Sequence, residues 1–209
     1  MAIIAMSTSL RCGMYAFGQR RFDVAEMSDS TGATQARLLG PPRWTLSMAA
    51  PNIGLSEADA AVWETMILSL RGGVNFLSAW DIVKNAPRGT CRGTMTLSGA
   101  HAQGATTVLI AVTGQSGLTL VPGDWLQIGS GTTGQLVKVM AGGTAGAATI
   151  SVVVEPPIRP AAGYAGGTAV TWDKALGHYK LVSPAAQWNW VPGMNTVAGF
   201  AIDLVEQWT

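Results

Sequence analysis

The chain has 209 residues, of which 48% are hydrophobic and only 12% are charged, and its formal net charge is +1. Charged residues reach about half the roughly 25% of an average globular protein, so we expect other subunits to cover part of the surface. The chain has no run of basic residues that could neutralise a phosphate backbone, which argues against direct nucleic acid binding. Its apolar runs are much shorter than the roughly 20 residues that cross a bilayer, which argues against a membrane span.

Three zones of different composition divide the chain. Residues 1–87 carry much of the charge, residues 88–172 are rich in Gly, Ala, Thr and Val, and residues 173–209 return to strand-like runs. Neither outer zone has enough strands to complete a sheet alone, so we expect the first and third zones to form one outer domain. The predicted fold is mainly β: a belt-like outer β-sandwich with one α-helix, and a small β-barrel or β-sandwich inserted as residues 88–172.

The first zone contains a single helical pattern, from about residue 57 to residue 70. Ser56 is a suitable N-cap, and Gly72-Gly73 supplies a left-handed stop at the other end. Apolar residues recur at helical spacing between these two signals, so one face of the helix must pack on a sheet or on a partner. Strand-like runs lie on either side of the helix, at Arg43–Met48 and Val74–Leu77.

The middle zone alternates short β-prone runs with glycine-rich turns, a pattern typical of a small barrel or sandwich. It predicts six strands: Gly93–Leu97, Thr107–Val112, Asp124–Ile128, Leu136–Met140, Ala148–Val153 and Ala169–Trp172. The closing zone adds strands at His178–Val182 and Val197–Val205. The last of these is long enough to cross a whole sheet, and we expect it to pair with an N-terminal strand.

Residues suited to catalysis are scarce. His101 and His178 are the only histidines, and neither lies in a nucleophile–base motif. Gly129-Ser-Gly131 lacks the strand-to-helix context of a nucleophile elbow, and two cysteines are too few for a zinc site or a disulfide framework. We therefore expect a protein that is not an enzyme and that uses no cofactor and no metal.

Eight tryptophans are the notable excess in this composition. Large aromatic side chains serve as anchors in cores and at protein interfaces, and they also form platforms for sugars. We favour packing over sugar binding because the tryptophans are scattered along the chain. The candidate interface anchors are Trp44, Trp63, Trp188 and Trp190.

A series of short motifs runs through most of residues 40–205. They are Trp44-Thr-Leu46, Trp63 to Gly73, Phe76 to Asp81, Pro87 to Thr90, Leu120 to Gly129, Val152 to Arg159 and Gly166 to Val170. In this order they resemble the distal tail protein family of long-tailed, siphovirus-type bacteriophages and prophages. The family has no catalytic residues to carry over to this chain.

This resemblance implies a virion protein that forms a ring, commonly hexameric, between the tail tube protein and the hub proteins of the tail tip. It also implies that the inserted barrel points outward or toward the tip, where its loops could touch neighbouring proteins or host glycans. Three alternatives stay open. The first is a tail tube or other minor tail subunit, which would need a long hairpin. The other two are a carbohydrate-binding module and a wall-degrading hydrolase.

Overall fold

A computed structural model describes residues 1–184, 187–191 and 196–207 of the chain. The strands are β1 (Ile3–Ala5), β2 (Met14–Met27), β3 (Thr34–Ala49), β4 (Phe76–Ala79), β5 (Met95–Leu97), β6 (Thr107–Ala111), β7 (Thr119–Leu120), β8 (Trp125–Ile128), β9 (Gln135–Ala141), β10 (Gly143–Thr144), β11 (Thr149–Glu155), β12 (Ala169–Thr171), β13 (Gly177–Leu181), β14 (Asn189–Val191), β15 (Thr196–Ala198) and β16 (Ala201–Glu206). One α-helix, α1 (Glu57–Ser69), lies between β3 and β4. The predicted class, mainly β with one helix and an inserted small barrel, is confirmed.

The outer domain is a six-stranded sheet in the order β1-β4-β13-β16-β3-β2. Its strands come from both sides of the barrel, because β13 and β16 follow the barrel in sequence and pair between β4 and β3. β16 pairs antiparallel with β3 from Ala201↔Ala49 to Val205↔Thr45, as expected for the closing strand. The predicted Val197–Val205 strand is interrupted, however, because Gly199 adopts a left-handed φ of 84° and separates β15 from β16.

Helix α1 begins and ends close to the predicted residues. The Ser56 hydroxyl accepts a hydrogen bond from the Asp59 N–H at 3.2 Å, and Gly72 takes a left-handed φ of 63° just beyond the helix. Trp63, Met66 and other apolar side chains of α1 join the inner side chains of the sheet in one core. Within the described residues, no helix has the length and apolar character required to cross a bilayer.

The barrel is closed by six strands in the order β11-β6-β5-β12-β8-β9. Each of the six strands predicted for the middle zone becomes one barrel strand, with ends that shift by no more than two residues. Side chains that alternate inward from these strands fill the barrel with a separate core that includes Val108, Ile110, Leu126, Val137 and Val152.

A long antiparallel hairpin, formed by β2 and β3, is the main element that the sequence did not reveal. We predicted a strand only at Arg43–Met48, whereas β3 spans Thr34–Ala49 and pairs with β2 along nearly its whole length. The register shifts twice between Arg20 and Asp23, first opposite Pro41 and Pro42 and then opposite Leu39. Since proline has no backbone N–H, the regular ladder cannot continue through the first of these shifts.

Candidate functional site

The outer half of the hairpin projects beyond the rest of the molecule. β3 pairs with β16 only as far as Thr45, so beyond this residue the two hairpin strands pair with each other alone. Every residue from Asp23 to Arg37 is exposed. We call residues 22–39 the distal ribbon, and an isolated two-stranded ribbon of this kind is at best marginally stable in water. It therefore has the character of an element that a partner covers.

The two faces of the distal ribbon differ in charge. Directly opposite residues of an antiparallel pair point to the same face, so the pairs Ala25↔Ala36 and Met27↔Thr34 define an uncharged face. The alternate pairs define a charged face, which contains Val24, Glu26, Gln35 and Arg37. Met27, with 68% of its surface exposed, is the largest of the four side chains that define the uncharged face.

An aromatic ring at the base of the ribbon lies close to two guanidinium groups. The guanidinium carbons of Arg20 and Arg43, which are opposite each other in the ladder, lie 5.3 Å and 5.7 Å from the centre of the Phe22 ring. Each cation lies within the distance at which the face of an aromatic ring attracts positive charge. These contacts stabilise the base of the ribbon.

A buried ion pair joins this region to the barrel. Nη2 of Arg159 lies 2.8 Å from both carboxylate oxygens of Glu206, and both side chains are almost completely buried. The same carboxylate accepts the backbone N–H of Trp44 at 3.0 Å, which extends the contact between β16 and β3 past Thr45. Burial raises the pKa of Glu206, against the lowering effect of Arg159. One carboxylate therefore connects a barrel loop, the closing strand and the hairpin.

The loop that carries Arg159 is held in place by Gln135 of β9. The Gln135 amide donates to the carbonyl oxygens of Pro156 and Pro157 at 3.3 Å and 2.8 Å. Its oxygen accepts the Arg159 N–H at 2.9 Å. These bonds satisfy buried backbone groups and orient the arginine toward Glu206.

A second, more exposed contact lies nearby. Arg21 of β2 donates to Glu155 of β11 at 3.1 Å, and Gln19 donates to the same carboxylate oxygen at 3.3 Å. Exposed ion pairs contribute little free energy individually, so we regard this contact as an alignment of hairpin and barrel rather than a main source of stability.

Asp124 fastens the segment that leads into the barrel. Its buried carboxylate accepts backbone N–H groups from Arg88 at 2.7 Å, Gly89 at 3.2 Å and Val121 at 2.8 Å. The next residue, Trp125, donates its indole N–H to Asp81 at 3.0 Å. Asp124 therefore fixes the first residues of the barrel on the turn before β8, and the Trp125–Asp81 bond connects this turn to the outer domain.

Two of the predicted interface anchors are core residues. Trp63 is fully buried, donates to the Arg11 carbonyl at 3.0 Å and stacks on Phe200. Trp44 is 7% exposed, donates to the Leu136 carbonyl at 3.0 Å and meets Trp125 edge to face. The prediction that these two side chains face a partner is therefore corrected, because the subunit's own core already surrounds them.

The other two predicted anchors lie near the closing strands. Trp188 is half-buried, and its ring stacks on Phe200 with 5.5 Å between centroids. Its contact with Phe200 occupies one face of the ring. The backbone of Trp190 belongs to β14, but its side chain lies outside what the structure describes.

The histidines and glycines that we considered as catalytic candidates take part in ordinary structural contacts. Nε2 of His101 accepts the Leu109 N–H at 3.3 Å within the barrel. His178 is buried on β13, and burial lowers its pKa, partly offset by the backbone of Gly131. The Gly129-Ser-Gly131 segment forms a turn between β8 and β9. In the described part of the chain, no group of three or more His, Cys, Asp or Glu side chains could hold a metal ion.

The chain matches no protein-family model, and no curated protein matches its sequence.

Proposed function

We propose that this chain is a structural subunit of a phage-type tail, which assembles with copies of itself into a ring at the distal end of the tail. The observation that carries this proposal is the distal ribbon, whose strands pair only with each other and whose residues from Asp23 to Arg37 are exposed. Two strands that pair only with each other are at best marginally stable in water, so a protein partner that covers them would stabilise the ribbon. The low charge of the whole chain supports the same conclusion.

The connection between barrel and sheet supports a structural role as well. The Arg159–Glu206 ion pair and the hydrogen bond from the Trp125 indole N–H to Asp81 tie the barrel to the outer domain. A barrel fastened in this way moves with the ring subunit as a fixed attachment. Such an attachment suits a protein that presents docking surfaces at a set position.

The proposed partners follow from the resemblance to distal tail proteins. They are five further copies in a hexameric ring, the tail tube protein on one side and the tail-tip hub on the other, all within the virion. Barrel loops at residues 129–134 and 141–147 are the surfaces available to neighbouring proteins or host glycans. We propose no enzymatic activity for this chain.

A tail tube subunit is the second candidate, and the hairpin favours it. A long hairpin is the feature expected of a tube subunit, and β2 with β3 provides one. The two candidates differ in how rings stack: a tube subunit polymerises into long tubes, whereas a distal subunit stops after a single ring.

Assembly in solution tests the proposal. We expect the purified chain to show six times its 21.7 kDa mass by light scattering, and separate rings by negative-stain microscopy. Replacement of residues 23–38 by Asn-Gly should give a folded monomer. Long stacked tubes would favour the second candidate, and a wild-type chain that stays monomeric at high concentration would overturn the ring.

A further inference from the structure

An uncharged groove of about 390 Å³ runs between β1 and α1. Its lining includes Ile4 and Ala5 of β1 and Ala61, Val62, Thr65 and Met66 of α1. β1 is an edge strand, so the backbone groups on its outer side take no part in the sheet. The groove is therefore an apolar cleft beside an unpaired strand edge.

The groove and the uncharged face of the distal ribbon agree in chemistry. α1 lines the groove from Ala61 to Ser69, a rise of about 12 Å at 1.5 Å per residue. The uncharged face from Ala25 to Met27 extends about 7 Å at 3.3 Å per residue, so the groove is long enough to hold it. Neither of these two surfaces contains a charged side chain, as expected for the centre of a protein interface, and Asp23 lies outside them at the base of the ribbon.

The ribbon of one chain cannot fill the groove of the same chain. The hairpin strand β2 forms one edge of the sheet and β1 forms the other, with four strands between them. Five strand spacings of about 4.8 Å place these edges about 24 Å apart. Whatever ribbon enters the groove must therefore belong to another copy.

We propose that the uncharged face of the distal ribbon of one copy docks in the β1–α1 groove of the next copy, with Met27 at the end of β2 as its anchor. This inference rests on the proposed ring and identifies the contact that closes it. The two surfaces lie on opposite edges of the subunit, so the contact is head-to-tail and repeats until a ring closes.

Disulfide formation between copies tests this docking. One preparation carries Ala25→Cys and a second carries Thr65→Cys, both with Cys12→Ser, and the two are dissociated, mixed and reassembled. We expect a covalent pair of chains under oxidising conditions only in the mixture. A control mixture pairs Ala25→Cys with Thr107→Cys, on the exposed surface of barrel strand β6, and should give no covalent pair.

Substitution of the anchor provides a second test. Met27→Asp should raise the concentration at which the ring dissociates by at least about tenfold, because it places a charge against the apolar groove. Met140→Asp changes a similarly exposed methionine on the barrel and should leave this concentration unchanged.

The outcomes separate the docking from the function. If rings form but no covalent pair appears, and Met27→Asp behaves like Met140→Asp, the docking is overturned and the ring stands. In that case another tail protein or no protein occupies the groove. If the unmodified chain never forms a ring, the proposed function itself is overturned.

Discussion

Nη2 of Arg159 lies 2.8 Å from each carboxylate oxygen of Glu206, although the two side chains are only 5% and 4% exposed. Two charges buried together lose much of their hydration, and this loss is offset only while each has the other as a partner. The pair connects two domains, and 47 residues of sequence separate its members.

Removal of one partner should therefore be more damaging than removal of both. We expect Arg159→Met to lower the free energy of unfolding by about 3–5 kcal/mol, because it leaves the Glu206 carboxylate buried without the guanidinium that donates to both of its oxygens. The double variant Arg159→Met with Glu206→Leu should recover much of this loss. Urea unfolding of the two variants and the wild type measures the difference, and a double variant no more stable than Arg159→Met would contradict this account.

Asp124 should be sensitive even to a change that preserves its shape. Asp124→Asn offers one acceptor oxygen where the carboxylate offers two, so at least one of the three backbone N–H groups loses its partner. We expect a loss of about 1–3 kcal/mol in the free energy of unfolding. Asp173→Asn, at an exposed position, is the matched control and should change stability by less than about 0.5 kcal/mol.

Two glycines of the barrel should respond differently to alanine. A Cβ atom at Gly142 would lie 2.1 Å from the Leu120 carbonyl oxygen, a contact that only a backbone shift can relieve. A Cβ atom at Gly146 would meet only the Thr149 carbonyl, at 3.6 Å. We expect Gly142→Ala to lower the free energy of unfolding by about 1–3 kcal/mol and Gly146→Ala to be near neutral. Thermal unfolding of both variants checks this, and equal melting temperatures would be inconsistent with the close approach.

His178 should make the protein sensitive to mild acid. Its pKa in the folded chain lies below the ordinary value of 6.5 because of burial, so the unfolded chain takes up a proton first as the pH falls. The His178 contribution to stability is therefore complete above pH 6.5 and is lost as the pH falls toward the folded-state pKa. We expect the loss of unfolding free energy between pH 8 and pH 5 to be smaller in His178→Gln than in the wild type, and equal losses would refute this role.

The sequence predicted the elements that are bounded by capping residues or by glycine turns. The caps at Ser56 and Gly72 predicted α1, and the glycine turns predicted all six strands of the barrel. The distal ribbon was missed because both of its faces are exposed, so no alternation of buried and exposed side chains marks it. A turn signal was present in Ser28 to Gly32, between the two strands.

The candidate site was harder to predict for a different reason. Pairing of β16 with β3 brings Glu206 to Trp44, insertion of the barrel brings Arg159 to both, and no short-range pattern relates the three residues. The excess of tryptophan was visible, but composition does not say whether a ring is buried within one subunit or between two. Burial of Trp44 and Trp63 in the core could be read only from the fold.

The split sheet has a consequence for how the chain acquires its structure. β4 and β13 pair at Ala79↔Gly177, so nearly a hundred residues separate the two sides of this contact along the chain. Closing so long a loop is unfavourable in entropy and slows folding. Within the barrel, however, β5 and β12 are neighbours, with Met95 opposite Val170. A barrel that forms first, as it leaves the ribosome, would hold the two flanking segments side by side. The loop that must close before β4 and β13 can pair would then be much shorter.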